Sequence, residues 1–291
     1  MKVRDVGKQS GQVVLITLLV LTIATTVALS LISRTTTDTS ITNQVEESSR
    51  AFSAAEAGIE EALKIGVGTS LPTAIIGSPD VSYSVSMASI GGAAGAYQFP
   101  RKTLKDTTET VWLVDHQSSG ALAEPLSPTY VSPSIDICWS SESTTPALVV
   151  TVLYRESSDG SYRILKGAYD PNSSRTSANK FSAPTASTGG CSGTTNTTYR
   201  ETFTFNALNP SVDPATDTLI ALRLRPIYSD ATLAVNAVMA LPLQGNRIES
   251  TGSTQTGTNR KIVVFQEYRA PASMFDAAIY SYSPLGGTFG H

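Results

Sequence analysis

An α+β chain is predicted: one long N-terminal helix followed by a mainly antiparallel β domain of the sandwich kind. Three observations predict it. An almost wholly apolar run without charge extends from Gln9 to Ser33; neither Pro nor Gly occurs between Gln12 and Ala57; and beyond Gly68 short alternating runs are separated by Gly, Ser, Thr and Pro. The boundaries expected are a short basic N-terminal segment at 1–11, a helix at 12–66 and a β-rich domain at 67–291.

The first part of the helix reads as a membrane span. Lys8 and Arg34 bracket the run, and residues 13–33 would rise about 31 Å, matching a hydrocarbon layer of roughly 30 Å. Lys2, Arg4 and Lys8 precede the span, whereas Asp38, Glu46 and Glu47 follow Arg34. That asymmetry predicts a cytoplasmic N-terminus and a C-terminal domain outside. The apolar run leads into more helix-forming sequence instead of a mature domain, so the anchor is expected to stay attached.

Residues 34–65 continue the helix as an amphipathic segment. Ile41, Val45, Ser48, Phe52, Ala55, Ile59 and Ala62 or Leu63 recur at spacings of four and three, which predicts one apolar stripe laid against protein. Glu46 and Arg50, and Glu60 and Lys64, stand at the favourable i, i+4 spacing, and Gly66 and Gly68 supply stop signals. Within the span Thr22, Thr26 and Ser30 share a face. Two readings stand side by side: hydroxyls bonding across a helix–helix contact, or each bonding the carbonyl one turn back in its own helix.

The β grammar begins with Val81 to Ile90 and continues with Ser134 to Ser140, where Ile135, Ile137 and Trp139 share one face. Ala147 to Arg155, a turn at Ser158-Asp159-Gly160 and Tyr162 to Tyr169 predict a hairpin. Thr202 to Asn206, Thr218 to Tyr228, Ala231 to Ala240 and Arg260 to Arg269 follow, with Pro226 expected to end the paired part of its strand. Pro171 to Thr198 and Ser250 to Asn259, rich in Ser, Thr, Asn and Gly, read as exposed loops, because they hold little apolar surface to offset ordering.

Cys138 falls in the proposed Ser134 strand and Cys191 in the first of these loops. Outside the cytoplasm a disulfide pinning loop to sheet is expected, the alternative being a buried Cys138 beside an unrelated exposed Cys191.

Several function classes receive no support. A formal net charge of -3 gives no basic field for nucleic acid. Two histidines, His116 and His291, and two cysteines without CxxC or HxxxH spacing give no zinc signature, and no cofactor motif is present. Asp115, His116 and Ser118 are too close along the chain for a triad without a special turn. Asp170, Asn172 and Ser174 open like a calcium loop, but Arg175 and Phe181 occupy the positions that need Gly and Glu, so a turn is expected. Trp112, Trp139, Tyr154, Tyr162, Tyr228 and Tyr268 could line a sugar-binding face, though most fall where a strand core would use them. No enzyme is expected.

The short basic leader ending in Gly11, the apolar helix and the segment Ser48 to Leu63 (SSRAFSAAEAGIEEAL) resemble type IV pilin-like proteins, closest to PilX-type minor pilins. That resemblance covers about the first quarter of the chain. It implies cleavage by a prepilin peptidase after Gly11, methylation of Gln12 as the new terminus, and packing of the helix with other pilin-like subunits. In most pilins the fifth mature residue is a Glu thought to pair with a neighbouring subunit's amine; here it is Ile16. The tip subunit of type II secretion pseudopili lacks the same carboxylate, so the likeness implies an initiating or capping place. Gly245 to Ser253, the run NRKIVVFQEYRAP and the run MFDAAIYSYSP look like the terminal strands and closing segment of PilX-like envelope proteins.

The expectation is therefore a structural minor pilin or pseudopilin, anchored in the cytoplasmic membrane or carried on a cell-surface pilus. Its helix-packing residues would be Ile16, Thr22, Thr26, Ser30, Ile41, Val45, Phe52 and Ile59. The alternative is an uncleaved, membrane-anchored module that recognises glycan or another surface polymer.

Overall fold

The computed structural model describes residues 10–67, 71–77 (backbone), 80–117 and 119–272. Helix α1 spans Ser10–Ile65, so span and amphipathic segment form one uninterrupted element, ended by Gly66 at φ 98°. Gly68 lies outside the described residues. The strands follow as β1 (Leu71–Gly77), β2 (Val81–Gly91), β3 (Gly95–Gln98), β4 (Glu109–Trp112), β5 (Ser134–Trp139), β6 (Ala147–Arg155) and β7 (Tyr162–Tyr169). After a short helix α2 (Ser173–Asn179) come β8 (Tyr199–Thr204), β9 (Thr218–Ile227), β10 (Leu233–Ala237), β11 (Leu243–Thr254) and β12 (Asn259–Glu267). Three four-stranded sheets result, in the orders β1-β2-β11-β12, β3-β10-β5-β8 and β4-β9-β6-β7. The fold is α+β with mainly antiparallel pairing.

The chain divides into two compact units. One comprises α1 as far as Gly58 with Ile75–Ser84 and Ser250–Ile262; the other holds Ile59–Ala74, Val85–Glu249 and the chain from Val263. The larger unit contains a β-sandwich. Alternation sends Ile135, Ile137 and Trp139 of β5 and Leu233 and Val235 of β10 into the same core as Leu148, Val150, Val152 and Tyr154 of β6. A cross-strand row of Val111, Leu222, Val152 and Leu165 runs through the second of the two sheets, every member buried. At Leu153/Tyr154 the register of β6 on β9 shifts by one, leaving Ile220 as the extra residue of a bulge. The bulge reverses the parity of β9, so Leu219 and Leu222 both reach the core while Ile220 joins Trp112, Val114 and Tyr268 on the other face.

Pro226 departs from expectation. It stays in register opposite Leu148. Its carbonyl accepts from Asp106 N, away from β6. In an antiparallel strand the nitrogen points the same way, so the missing N–H costs no bond to β6.

Both segments read as exposed loops are partly ordered. Residues 250–254 complete β11, with Ser250, Gly252 and Thr254 buried on alternate positions. Between Pro171 and Thr198 the chain forms α2, and Cys191 is buried in a disulfide with Cys138 across a sequence separation of 53. Polar bonds organise this segment in place of apolar burial. Asp170 accepts from Arg175 Nε (3.0 Å) and Nη2 (2.7 Å) and from Asn179 (2.7 Å), while the Asn172 side chain caps α2. The calcium-like spacing is thus a turn and a cap.

Candidate functional site: the two faces of the long helix

The site starts from the sequence of α1. From Gln12 to Ser33 every side chain is exposed, Ile16 included. This is the one described helix long and apolar enough to cross a membrane. Gly11 and Gln12 both lie within the helix. Thr22 Oγ1 donates to the Leu19 carbonyl (2.8 Å) and Thr26 Oγ1 to that of Thr22 (2.7 Å), so both hydroxyls are satisfied one turn back in their own helix. Ser30 is exposed on the same face.

In the following half the structure corrects the predicted stripe. Ile41, Val45 and Phe52 are 53%, 64% and 47% exposed, and the buried positions are Ala51, Ala54, Ala55, Gly58, Ile59 and Ala62. Ile59 therefore parts from the other large residues and packs inward. The reason is steric. A β-carbon added at Gly252 would overlap the Ala51 carbonyl and stand 2.6 Å from Ala55 N, so helix and strand approach almost backbone to backbone. At Gly58 an added β-carbon would overlap the Ser250 hydroxyl and come within 2.8 Å of the Tyr83 ring. Apart from Ile59, only small residues fit on that face, and Ile41, Val45 and Phe52 are turned outward.

Polar contacts hold this approach at its margin. Glu47 accepts from Thr256 Oγ1 (2.8 Å), and Ser48 accepts from Arg260 Nε (2.8 Å). Hydroxyls of Thr254 and Thr256 hold the Glu47 carboxyl below its ordinary pKa. Arg50 pairs with Glu46 at 2.6 Å, as the spacing predicts, whereas Lys64 reaches Glu61 instead of Glu60.

Sequence reasoning missed three positioning residues. Gly252 lay in a stretch read as loop, and its signal was the Ser-x-Gly-x-Thr alternation of small residues. Gln244 substitutes for a strand neighbour of β4: its Oε1 accepts from Trp112 N (2.7 Å) and its Nε2 donates to the Trp112 carbonyl (2.8 Å). Asn246, fully buried, donates to the Gly66 carbonyl (3.0 Å) just beyond the end of α1. No spacing in the sequence announces either amide.

The remaining candidates resolve into structure. His116 stacks on Tyr268 (3.9 Å between ring centroids) and meets the edge of Trp112 (4.6 Å), and burial lowers its pKa. Ser118 lies outside the described residues. Trp112, Trp139, Tyr154 and Tyr268 are core; Tyr228 is exposed and stacks under Arg175 at 4.2 Å, and Tyr162 is exposed. The run MFDAAIYSYSP and His291 lie outside the described residues.

Comparison of the chain with family models, curated proteins and solved structures gave no match.

Proposed function

We propose that this chain is a structural minor subunit of a type IV pilus or a related secretion pseudopilus, acting as an initiator or cap. The observation that carries the reading is the division of α1. Small residues fit one face to the chain's own strands, and Ile41, Val45 and Phe52 continue outward from a span that is exposed throughout. Large apolar side chains on the water side of a membrane helix cost free energy unless a partner covers them. Helices of other pilin-like subunits are such partners, and a helix that leaves the bilayer for a filament needs apolar contacts along its whole length. Gly11 is the processing residue and Gln12 the mature terminus in this reading. Ile16 leaves the span without an ionisable group, so the subunit can accept neighbours through apolar packing alone, consistent with a terminal position.

The test is mass spectrometry of the N-terminus of protein purified from its native envelope, together with its distribution between membrane and sheared surface fractions. A methylated Gln12 terminus in the surface fraction is the expected result. An intact Met1 or Lys2 terminus confined to membranes would sink the filament role and leave an anchored binding module.

A further inference from the structure

Strand β7 lies at the edge of the β4-β9-β6-β7 sheet, and the direction of its backbone groups follows from its two ends. At the hairpin turn Glu156 N donates to the Ser161 carbonyl (2.9 Å), so Ser161 faces β6. Past the other end Ser182 N donates to the Ala168 carbonyl (2.9 Å) and Asp170 N to the Ser182 carbonyl (2.8 Å), so Ala168 and Asp170 face away from β6. Successive residues of a strand turn their backbone groups to opposite sides. Tyr162 and Ile164 therefore direct N–H and C=O to the outer edge, and Arg163 and Leu165 direct theirs to β6. Among the described residues no strand pairs with β7 on the outer side, where the one bridge is that of Tyr169 with Ser182.

The side chains at this edge are apolar where water would reach them. Leu165 enters the sandwich core, so Tyr162 and Ile164 stand on the other face, 68% and 51% exposed. With Leu153 and Ile220 they contribute to a groove of about 290 Å³. Trp112, Ala221, Leu153 and Ile164 form one cross-strand row, and side chains in such a row stabilise the sheet by meeting across strands. The row stops at Ile164. An exposed apolar edge of this kind is a template for one more strand.

A second copy of β7 fits this edge by register. Antiparallel pairing about a two-fold axis at Ile164 sets two outward-directed residues opposite each other, so the two Ile164 residues exchange both backbone bonds. The apolar row then continues from Leu153 and Ile164 of one copy into Ile164 and Leu153 of the other. The same register sets Arg163 opposite Leu165 and Tyr162 opposite Lys166 of the second copy, so no like charges meet and the ring of Tyr162 lies along the lysine stem. An axis at Arg163 would instead set two guanidinium groups opposite each other, which is unfavourable.

We propose that two copies of this chain associate through β7, joining their four-stranded sheets across a two-fold axis at Ile164. The contact uses nothing of α1 and stands apart from the filament reading.

The full-length protein in detergent micelles is the material for the test. In such a pair the two Cα atoms lie about 5.5 Å apart, within reach of a disulfide, and the chain's two cysteines, Cys138 and Cys191, are already bonded to each other. Ile164→Cys should therefore cross-link to its counterpart under mild oxidation. Tyr162→Cys, whose counterpart is four residues along the strand, about 13 Å away, should not. Sedimentation equilibrium gives an independent measure: the parent should be dimeric, and Ile164→Lys, which sets two ammonium groups at the axis, should weaken dimerisation about tenfold or more. A monomeric parent would overturn the proposal and leave the edge to a strand of a different protein. Failure of Ile164→Cys to cross-link, cross-linking at position 162 as readily as at 164, or a dimer indifferent to Ile164→Lys would overturn it as well.

Discussion

Arg175 grips Asp170 through two nitrogens, Nε at 3.0 Å and Nη2 at 2.7 Å, while the same Nη2 donates to the Thr145 carbonyl. The Asp170 side chain is wholly buried and that of Arg175 only 23% exposed. Arg175→Ala removes the cation and leaves the carboxylate in place, so a loss of about 3 kcal/mol in unfolding free energy is expected. Urea denaturation checks it, and Arg175→Lys should recover only part of the loss because a single ammonium cannot reproduce the fork.

Gly252 sets the distance between β11 and α1. Gly252→Ala should cost about 1–3 kcal/mol through overpacking, with Ser253→Ala, half-exposed on the opposite face, within about 0.5 kcal/mol of the parent. Thermal unfolding of both variants side by side distinguishes close approach from a general sensitivity of this strand.

Substitution at Phe52 tests folding separately from the proposed assembly. Phe52→Ser removes an exposed ring, and stability should change by no more than about 0.5 kcal/mol. If neighbouring helices cover the ring in a filament, incorporation should fall about tenfold, the equivalent of burying one large apolar side chain less. Quantifying the subunit in sheared surface filaments reads this directly, and unchanged incorporation would remove Phe52 from the contact.

The Cys138–Cys191 bond closes a sequence separation of 53. Its removal in the Cys138→Ala/Cys191→Ala double variant should cost about 4 kcal/mol by the chain-entropy model. Limited proteolysis should then find its first new cleavage sites between residues 182 and 198, where apolar burial is sparse.

Glu109 provides a pH signature. Burial, and then the nearby charge of Glu267, raise its pKa above 4.5. A carboxyl raised in the folded state binds its proton more readily folded than unfolded, so stability gained from this group is complete below the unfolded pKa and lost as pH climbs through the folded one. Glu109→Gln should therefore stabilise the protein at neutral pH and flatten the melting-temperature profile in the window just above pH 4.5. Melting curves across pH 4 to 8 supply the comparison.

Long elements with one dominant period were legible before any coordinates. Helix α1 and the β6/β7 hairpin follow from spacing and turn residues alone, and the pairing of Cys138 with Cys191 from compartment and context. Strands β3 and β4, four residues each, are too short to carry a period, and their places depend on partners distant in sequence. Residues 250–254 were lost for a different reason: Ser, Gly and Thr give no apolar signal, yet smallness is what that strand requires. The helix stripe was half right: Ala55, Ile59 and Ala62 are buried as expected, but Ile41, Val45 and Phe52 were misassigned, since large apolar residues are ordinarily expected inside and here the inner face admits only Ala, Gly and one Ile.

The two close approaches to α1 carry different evolutionary consequences. At Gly58 the obstacles are the side chains of Ser250 and Tyr83, so a larger residue could be accommodated by trimming a neighbour, and drift at these positions should be correlated. At Gly252 the obstacles are the carbonyl of Ala51 and the nitrogen of Ala55, backbone atoms that no exchange of side chain can withdraw. Descendants of this sequence should therefore show covariation around residue 58 and invariance at residue 252.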